Sequence, residues 1–286
     1  MLQRWLAVGL VLVAVDGLVA QDKVKAFDAH GVKLHYTDEG KGEPVILVHG
    51  FAVNSQVQWE LPGVSKALAK DYRVITMDNR GHGRSGKPHD PKQYGMEMVE
   101  DVVRLMDHLK IQRSHVVGYS MGAFITLKLL TTHPERLLSA TLGGAGRGRP
   151  GETKFLDELA ESLEKGKGFA PLILRLNPPG KPMPTEQEVQ SVNMFLTAMN
   201  DTKALAAVIR AMKDLGVEDE KLKSNKVPVL ALIGDLDPLK TGVDDLKGVL
   251  AHFQVVVIPG ADHVNAFTRP EFVASLQQFL AKKPSK

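Results

Sequence analysis

Residues 114–130 read SHVVGYSMGAFITLKLL, and the way this stretch divides decides the fold. SHVVGYS, short and rich in apolar and β-branched residues, suits a buried strand; MGAFITLKLL with the following TTH suits a helix. Between them Ser120 occupies the centre of a G-x-S-x-G pattern that runs from Gly118 to Gly122. A sharp strand-to-helix turn would lift its hydroxyl above the sheet edge. It would also aim the backbone N–H groups of the helix start at developing negative charge. Small flanking residues let the chain turn that tightly. The pattern alone is weak, since chance supplies it in roughly one chain in ten of this length and glycine content. Its placement between a strand and a helix is what favours a nucleophile over a residue that merely serves the turn.

Outward from this unit the chain alternates. VKAFDAHGVKLHYTDEG reads as two short strands about the turn at His30-Gly31, and VILVHG as a buried strand stopped by glycine. VQWELPGVSKALAKD becomes helical toward its end. YRVITMD is a strand closed by the loop NRGHGRSGKP. In MEMVEDVVRLMDHLK, Val99, Val102, Val103, Met106 and Leu109 share one helical face. RLLSATLGGAG is a further strand. Residues 146–226 then break the rhythm with helical stretches and the proline-rich NPPGKPMPT, after which Thr185 and Glu188 have capping-box spacing. VPVLALIG resumes as a strand, GVDDLKGVLAH as a helix, FQVVVIPG as a strand and PEFVASLQQFLAKK as a final helix. Alternation of this kind predicts an α/β fold with a mostly parallel sheet flanked by helices. The core comprises 21–145 and 227–286, and 146–226 is a helical cap or lid insertion.

Ligand sites of such a sheet lie at the carboxyl ends of its strands, here in the loops HGF, DNRGHG, GYSMG, GDLDP and GADH. A serine hydroxyl is a poor nucleophile unless a base, an orienting group and oxyanion donors converge on it. Of ten histidines, His49, His82 and His263 follow strands. His263, beyond the last strand in PGADHVNAF, is the candidate base; His49 and His82 suit packing roles within their loops. GDLDP offers Asp235 and Asp237. Asp237 is favoured because it lies further past the strand end and Pro238 biases it to an extended conformation. Asp262 neighbours His263 in sequence, so their side chains diverge. Ser85 in RSGKP suits hydrogen bonding within its loop.

The 286-residue chain is 43% apolar and 24% charged, with a formal charge of +3 and scattered basic residues. That composition excludes extensive disorder and shows no basic stripe for nucleic acid. With no cysteine there are no disulfides, no thiolate catalysis and no Cys-ligated metal. No histidine pair has zinc-site spacing and no Walker motif occurs, so no metal, nucleotide or other cofactor is expected. Residues 1–20, MLQRWLAVGLVLVAVDGLVA, place Arg4 before an apolar run from Trp5 to Val15 and end on Ala20. This layout predicts a secretory signal peptide and an exported mature chain, periplasmic or secreted, starting near Gln21. Leu18 is bulky for the cleavage site, which leaves an uncleaved membrane anchor as the alternative. The run is too short to span a bilayer, which takes about 20 apolar residues.

Taken together, GYSMG, HGF, DNRGHGRS, GDLDP and GADH resemble the α/β-hydrolase family in its serine-nucleophile branch, over nearly all of the chain after the leader. The resemblance implies a triad of Ser120, Asp237 and His263 and an oxyanion hole made by the backbone N–H groups of Phe51 and Met121. It places a lid where the helical insertion lies. The implied activity is carboxylic ester hydrolysis through an acyl-enzyme, on a small-molecule ester-like substrate. Carbon–carbon bond hydrolysis of dienoic ketoacids, a perhydrolase or haloperoxidase-like activity, and a triad-retaining receptor are the alternatives. The apolar cap residues Met194, Phe195, Leu196 and Met199 are candidate acyl-pocket residues, or else the cap's own core.

Overall fold

The computed structural model describes residues 23–148 and 152–282, so the leader expected at 1–20 and the last residues of the tail lie outside it. Eight strands form one sheet: β1 (Lys25–Ala29), β2 (Val32–Gly40), β3 (Pro44–Val48), β4 (Arg73–Met77), β5 (Ser114–Tyr119), β6 (Leu137–Gly143), β7 (Val229–Gly234) and β8 (Phe253–Ile258). Their order is β1-β2-β4-β3-β5-β6-β7-β8. The pairings β1/β2 and β2/β4 are antiparallel, and every other pairing is parallel. The central strands are apolar on both faces because both faces are covered. Ile46, Val48, Ile75 and Val116 enter one core, while Val45, Leu47, Val74 and Val117 enter the other. This is the period-two alternation of a strand read from both sides.

Helices α1 (Val64–Leu68), α2 (Met96–His108) and α3 (Met121–Thr132) follow β3, β4 and β5. The α2 face anticipated from the sequence, Val99, Val102 and Met106, is buried. Between β6 and β7 come α4 (Glu152–Glu164), α5 (Ala170–Arg175), α6 (Glu186–Met199), α7 (Thr202–Ala211) and α8 (Asp219–Lys223), with no strand among the described residues. The capping box at the start of α6 forms in full: Glu188 N–H donates to Thr185 Oγ1 at 3.2 Å, and Thr185 N–H donates to Glu188 Oε2 at 2.9 Å. Thr185→Ala is therefore expected to lower stability by about 1 kcal/mol, read as a shifted denaturation midpoint; Thr185→Ser should recover most of it. An unchanged midpoint would mean the cap is dispensable.

After β7 the structure departs from the sequence reading. The helix expected over 242–252 is a short α9 (Lys240–Asp244), followed by turns. Two contributions, one local and one from a distant segment, shorten it. Gly248 takes a left-handed φ of 78°, which ends any helix there, and the Gly242 carbonyl is engaged by the Arg147 N–H at 3.0 Å. The chain closes with α10 (Pro270–Leu280), whose Phe272 and Leu276 pack with Val64 and Leu68 of α1 on the face away from the cap. No helix among the described residues is long and apolar enough to cross a membrane.

Candidate active site

The turn between β5 and α3 holds Ser120 at φ 53°, ψ −114°, a conformation that non-glycine residues rarely adopt and that costs on the order of 1–3 kcal/mol. Surrounding contacts enforce it. Ser120 N–H donates to the Gly143 carbonyl at 2.8 Å. A β-carbon on Gly118 would collide with the Gly122 carbonyl, and one on Gly122 with the Val48 carbonyl. The two glycines of G-x-S-x-G thus serve close backbone approach between β3, β5 and α3, which is what presents the serine at the sheet edge.

His263 and Asp237 arrive at the same edge from the loops after β8 and β7. His263 Nε2 lies 2.9 Å from Ser120 Oγ, and His263 Nδ1 lies 2.9 Å from Asp237 Oδ2. The ionised carboxylate has no proton to give, so Nδ1–H donates to it. That leaves the Nε2 lone pair facing the serine O–H. Asp237 Oδ1 accepts the Leu239 N–H at 2.8 Å, so both carboxylate oxygens are engaged. Asp237 is 3% exposed, whereas Asp235 on the same loop is solvent-exposed. Asp262 accepts the Val264 N–H through Oδ1 at 3.2 Å.

Phe51 follows β3, and Met121 is the first residue of α3. Among the described residues neither backbone N–H donates to a protein acceptor. Both residues line the cavity that holds Ser120. Their N–H groups are therefore available to a bound oxygen, and Met121 has the helix N-terminus behind it.

Several supporting groups carried no clear sign in the sequence. Tyr119, an unspecified position of the motif, donates from its hydroxyl to the His263 carbonyl at 2.7 Å and tilts its ring over the imidazole at 5.6 Å. Burial holds its phenol well above the usual range, and Asp237 and Asp262 add to that. Gln58 Oε1 accepts the Gly50 N–H at 3.4 Å, and its buried Nε2 finds no partner among the described residues. Glutamines scattered along a chain look alike, and only the fold puts this one on the wall of a cavity shared with Ser120.

The acyl-pocket candidates are corrected. Met194 and Met199 are exposed, at 71% and 48%, and Phe195 packs against the core without lining either cavity at Ser120. α6 turns Val192 and Leu196 inward and puts Met194 on its opposite face; Met199 is the last residue of the helix and stays exposed there. Of that group Leu196 alone reaches a cavity wall. The larger cavity is lined instead by Phe155, Leu156 and Leu159 of α4, Leu172 and Leu176 in and after α5, and Ile209 of α7.

The two loop histidines hold the scaffold. His49 Nδ1 donates to the Gly50 carbonyl at 2.7 Å, and its Nε2 accepts the Asn79 N–H at 2.9 Å. Both ring nitrogens are committed in the neutral form, and burial holds its pKa below the ordinary value. His82, 5.2 Å away centroid to centroid, is pushed down to about 3, chiefly by burial and then by His49. The sign follows. Below about pH 6.5 the unfolded chain binds protons that these folded histidines refuse, so stability falls on acidification. For His82 the slope approaches about 1.4 kcal/mol per pH unit once the pH is well below 6.5 and still above about 3, and His49 adds in the same direction. Urea midpoints at pH 7 and 5.5 test it: His82→Asn should flatten the dependence, and an unaltered slope would assign it elsewhere. Ser85 Oγ donates to the Asp78 carbonyl at 2.6 Å and accepts the His35 N–H at 2.9 Å, a loop-bracing role.

Comparison with known proteins bears on the family and the fold. The family profile described as alpha/beta hydrolase fold matches residues 43–170. The chain is 31% identical over 283 residues to a Bacillus subtilis protein named as a 2-succinyl-6-hydroxy-2,4-cyclohexadiene-1-carboxylate synthase, covering 87% of this chain and 95% of that one. It is 29% identical over 243 residues to the dihydrolipoyllysine-residue acetyltransferase component of the acetoin cleaving system of Pseudomonas putida. That match covers 84% of this chain and 63% of the length of that relative. Among solved structures, a hydrolase from Pseudomonas aeruginosa PA01 superposes with a TM-score of 0.76 at 21% identity, covering 92% of this chain and 100% of that one. Likeness at that identity speaks to the fold.

Proposed function

The chain belongs to the α/β-hydrolase family, and on that premise we propose that it is a serine hydrolase whose substrates are carboxylic esters. The observation that carries this is the hydrogen-bonded line from Asp237 through His263 to Ser120, ending on the wall of a mostly apolar cavity. Ser120 Oγ attacks the ester carbonyl as His263 Nε2 takes its proton. The Phe51 and Met121 N–H groups hold the oxyanion. Collapse breaks the bond from the acyl carbon to the alcohol oxygen, and His263 returns the proton to that oxygen. Water, deprotonated by His263, then cleaves the acyl-enzyme and restores the Ser120 hydroxyl. Asp237 keeps the imidazole oriented and balances its positive charge throughout.

A fluorophosphonate probe is expected to label the wild type and not Ser120→Ala. Folded wild-type protein that stays unlabelled would overturn the serine reading. Labelling without turnover of any ester in a graded panel would overturn the ester assignment and favour carbon–carbon bond cleavage by the same groups. Export belongs to the proposal as well, on the layout of residues 1–20. N-terminal sequencing from producing cells tests it, and a mature chain that begins at Met1 would contradict it.

A further inference from the structure

Tyr119 and Ser120 are neighbours in the chain, yet their side chains have different surroundings. Ser120 lines the two cavities at the sheet edge. Tyr119 follows Val117 into the core that α1 and α10 cover. From there its hydroxyl reaches the loop after β8 and donates to the His263 carbonyl at 2.7 Å. No other group among the described residues donates to that carbonyl.

The ring that carries this hydroxyl is closely packed. Phe267, four residues beyond His263, meets it edge-on at 5.2 Å, so the ring touches the same turn a second time. Phe272 of α10 lies at 6.0 Å and Trp59 at 6.5 Å. At the end of β6 a β-carbon on Gly143 would stand 2.7 Å from the ring, and one on Gly144 2.6 Å from it. Both positions are glycine where the ring needs the room. Burial keeps the phenol protonated, so it remains a donor.

The imidazole must satisfy two partners at once, Ser120 Oγ at 2.9 Å and Asp237 Oδ2 at 2.9 Å. Its side chain is short, so a shift of the His263 main chain passes to both contacts. A displacement of about 1 Å costs on the order of 100-fold in rate. The Asp237 carboxylate has its own brace in the Leu239 N–H, whereas the base is braced from Tyr119. Given the serine-hydrolase reading on which this inference rests, we propose that Tyr119 is a positioning residue, whose hydroxyl fixes the main chain of the base from the position next to the nucleophile. Its part is to place His263 and not to transfer a proton, because its own proton is committed to the carbonyl.

The fluorophosphonate probe reads this whatever the ester. Ser120 Oγ bonds to phosphorus, fluoride leaves, and His263 takes the serine proton. Tyr119→Phe removes the hydroxyl and keeps the ring. Its second-order labelling rate constant is expected to fall about tenfold, with a melting transition within a few degrees of wild type. In a His263→Ala background the same change should alter labelling by less than about twofold, because no base is left to place. Phe272→Leu loosens the same core but keeps the hydroxyl, and should label within about twofold of wild type. Labelling of Tyr119→Phe within about twofold of wild type would overturn the inference and leave the triad standing. An equal loss in both backgrounds, or an equal loss in Phe272→Leu, would also overturn it, since either makes the role of Tyr119 merely structural. Folded wild-type protein that never labels would remove the serine reading, and this inference with it.

Discussion

Ser120→Ala is expected to lower kcat/KM on a cognate ester by about 10⁴-fold or more while leaving the melting transition within a few degrees of wild type. The size follows from what is removed. The oxyanion donors and the cavity remain, so a residual acceleration persists, but no covalent intermediate can form. Stability should be spared because, among the described residues, the hydroxyl's side-chain hydrogen bond is to His263, at 2.9 Å in a part-buried site. Ala also lacks any bulk that the turn must accommodate. His263→Ala should cost a similar factor, and the double variant hardly more than either single one, since the two groups act as a unit. Measured kcat/KM values decide this. A loss under about tenfold for Ser120→Ala, or multiplicative losses in the double variant, would remove Ser120 from the chemistry.

The largest expected effect on stability lies away from the serine. Arg80 is fully buried in the loop after β4, with Nε and Nη2 each donating to Asp101 of α2 at 2.6 Å and Nη1 donating to the Gln93 carbonyl at 2.7 Å. Arg80→Met keeps much of the volume but strands the Asp101 carboxylate, which is 1% exposed and left with Arg104 at 3.1 Å as its remaining cation. Burial already pushes the Asp101 pKa upward against the pull of Arg80. Removing one partner of such a pair costs roughly 3–5 kcal/mol, because the other charge stays desolvated. The double change Arg80→Met with Asp101→Leu should recover most of that loss. Urea denaturation of the three variants measures it, and a single variant within 1 kcal/mol of wild type, by this estimate, would show the pair to be dispensable. Activity should fall with the fold and not ahead of it, since neither residue lines a cavity at Ser120.

Legibility in the sequence followed distance along the chain. The alternation of apolar runs with helical patterns is set within windows of about ten residues, so strands and helices could be read in order, and the helical character of 146–226 with them. The ends of strands are local features too. Because a parallel sheet gathers those ends at one edge, Ser120, Asp237 and His263 could be nominated together although 143 residues separate the serine from the histidine. The capping box before α6 was readable for the same reason, being a contact between residues three apart. The shortness of α9 was less legible, since besides the left-handed Gly248 it reflects the Gly242 carbonyl being taken by Arg147, a contact between distant segments.

What the sequence by itself determined, then, is the order of elements, the strand ends from which the candidate site is drawn, and the glycines that a sharp turn at Ser120 requires. The tertiary structure alone decided which side chains meet. It buries Asp237 and leaves Asp235 in water, although both stand on one loop. It exposes Met194 and Met199 and lines the large cavity from α4, α5 and α7 instead. It hangs the His263 carbonyl on the Tyr119 hydroxyl. The physical reason is that periodicity states how far apart residues stand along an element, whereas the rotation of a cap helix about its axis comes from packing against segments far away in the chain.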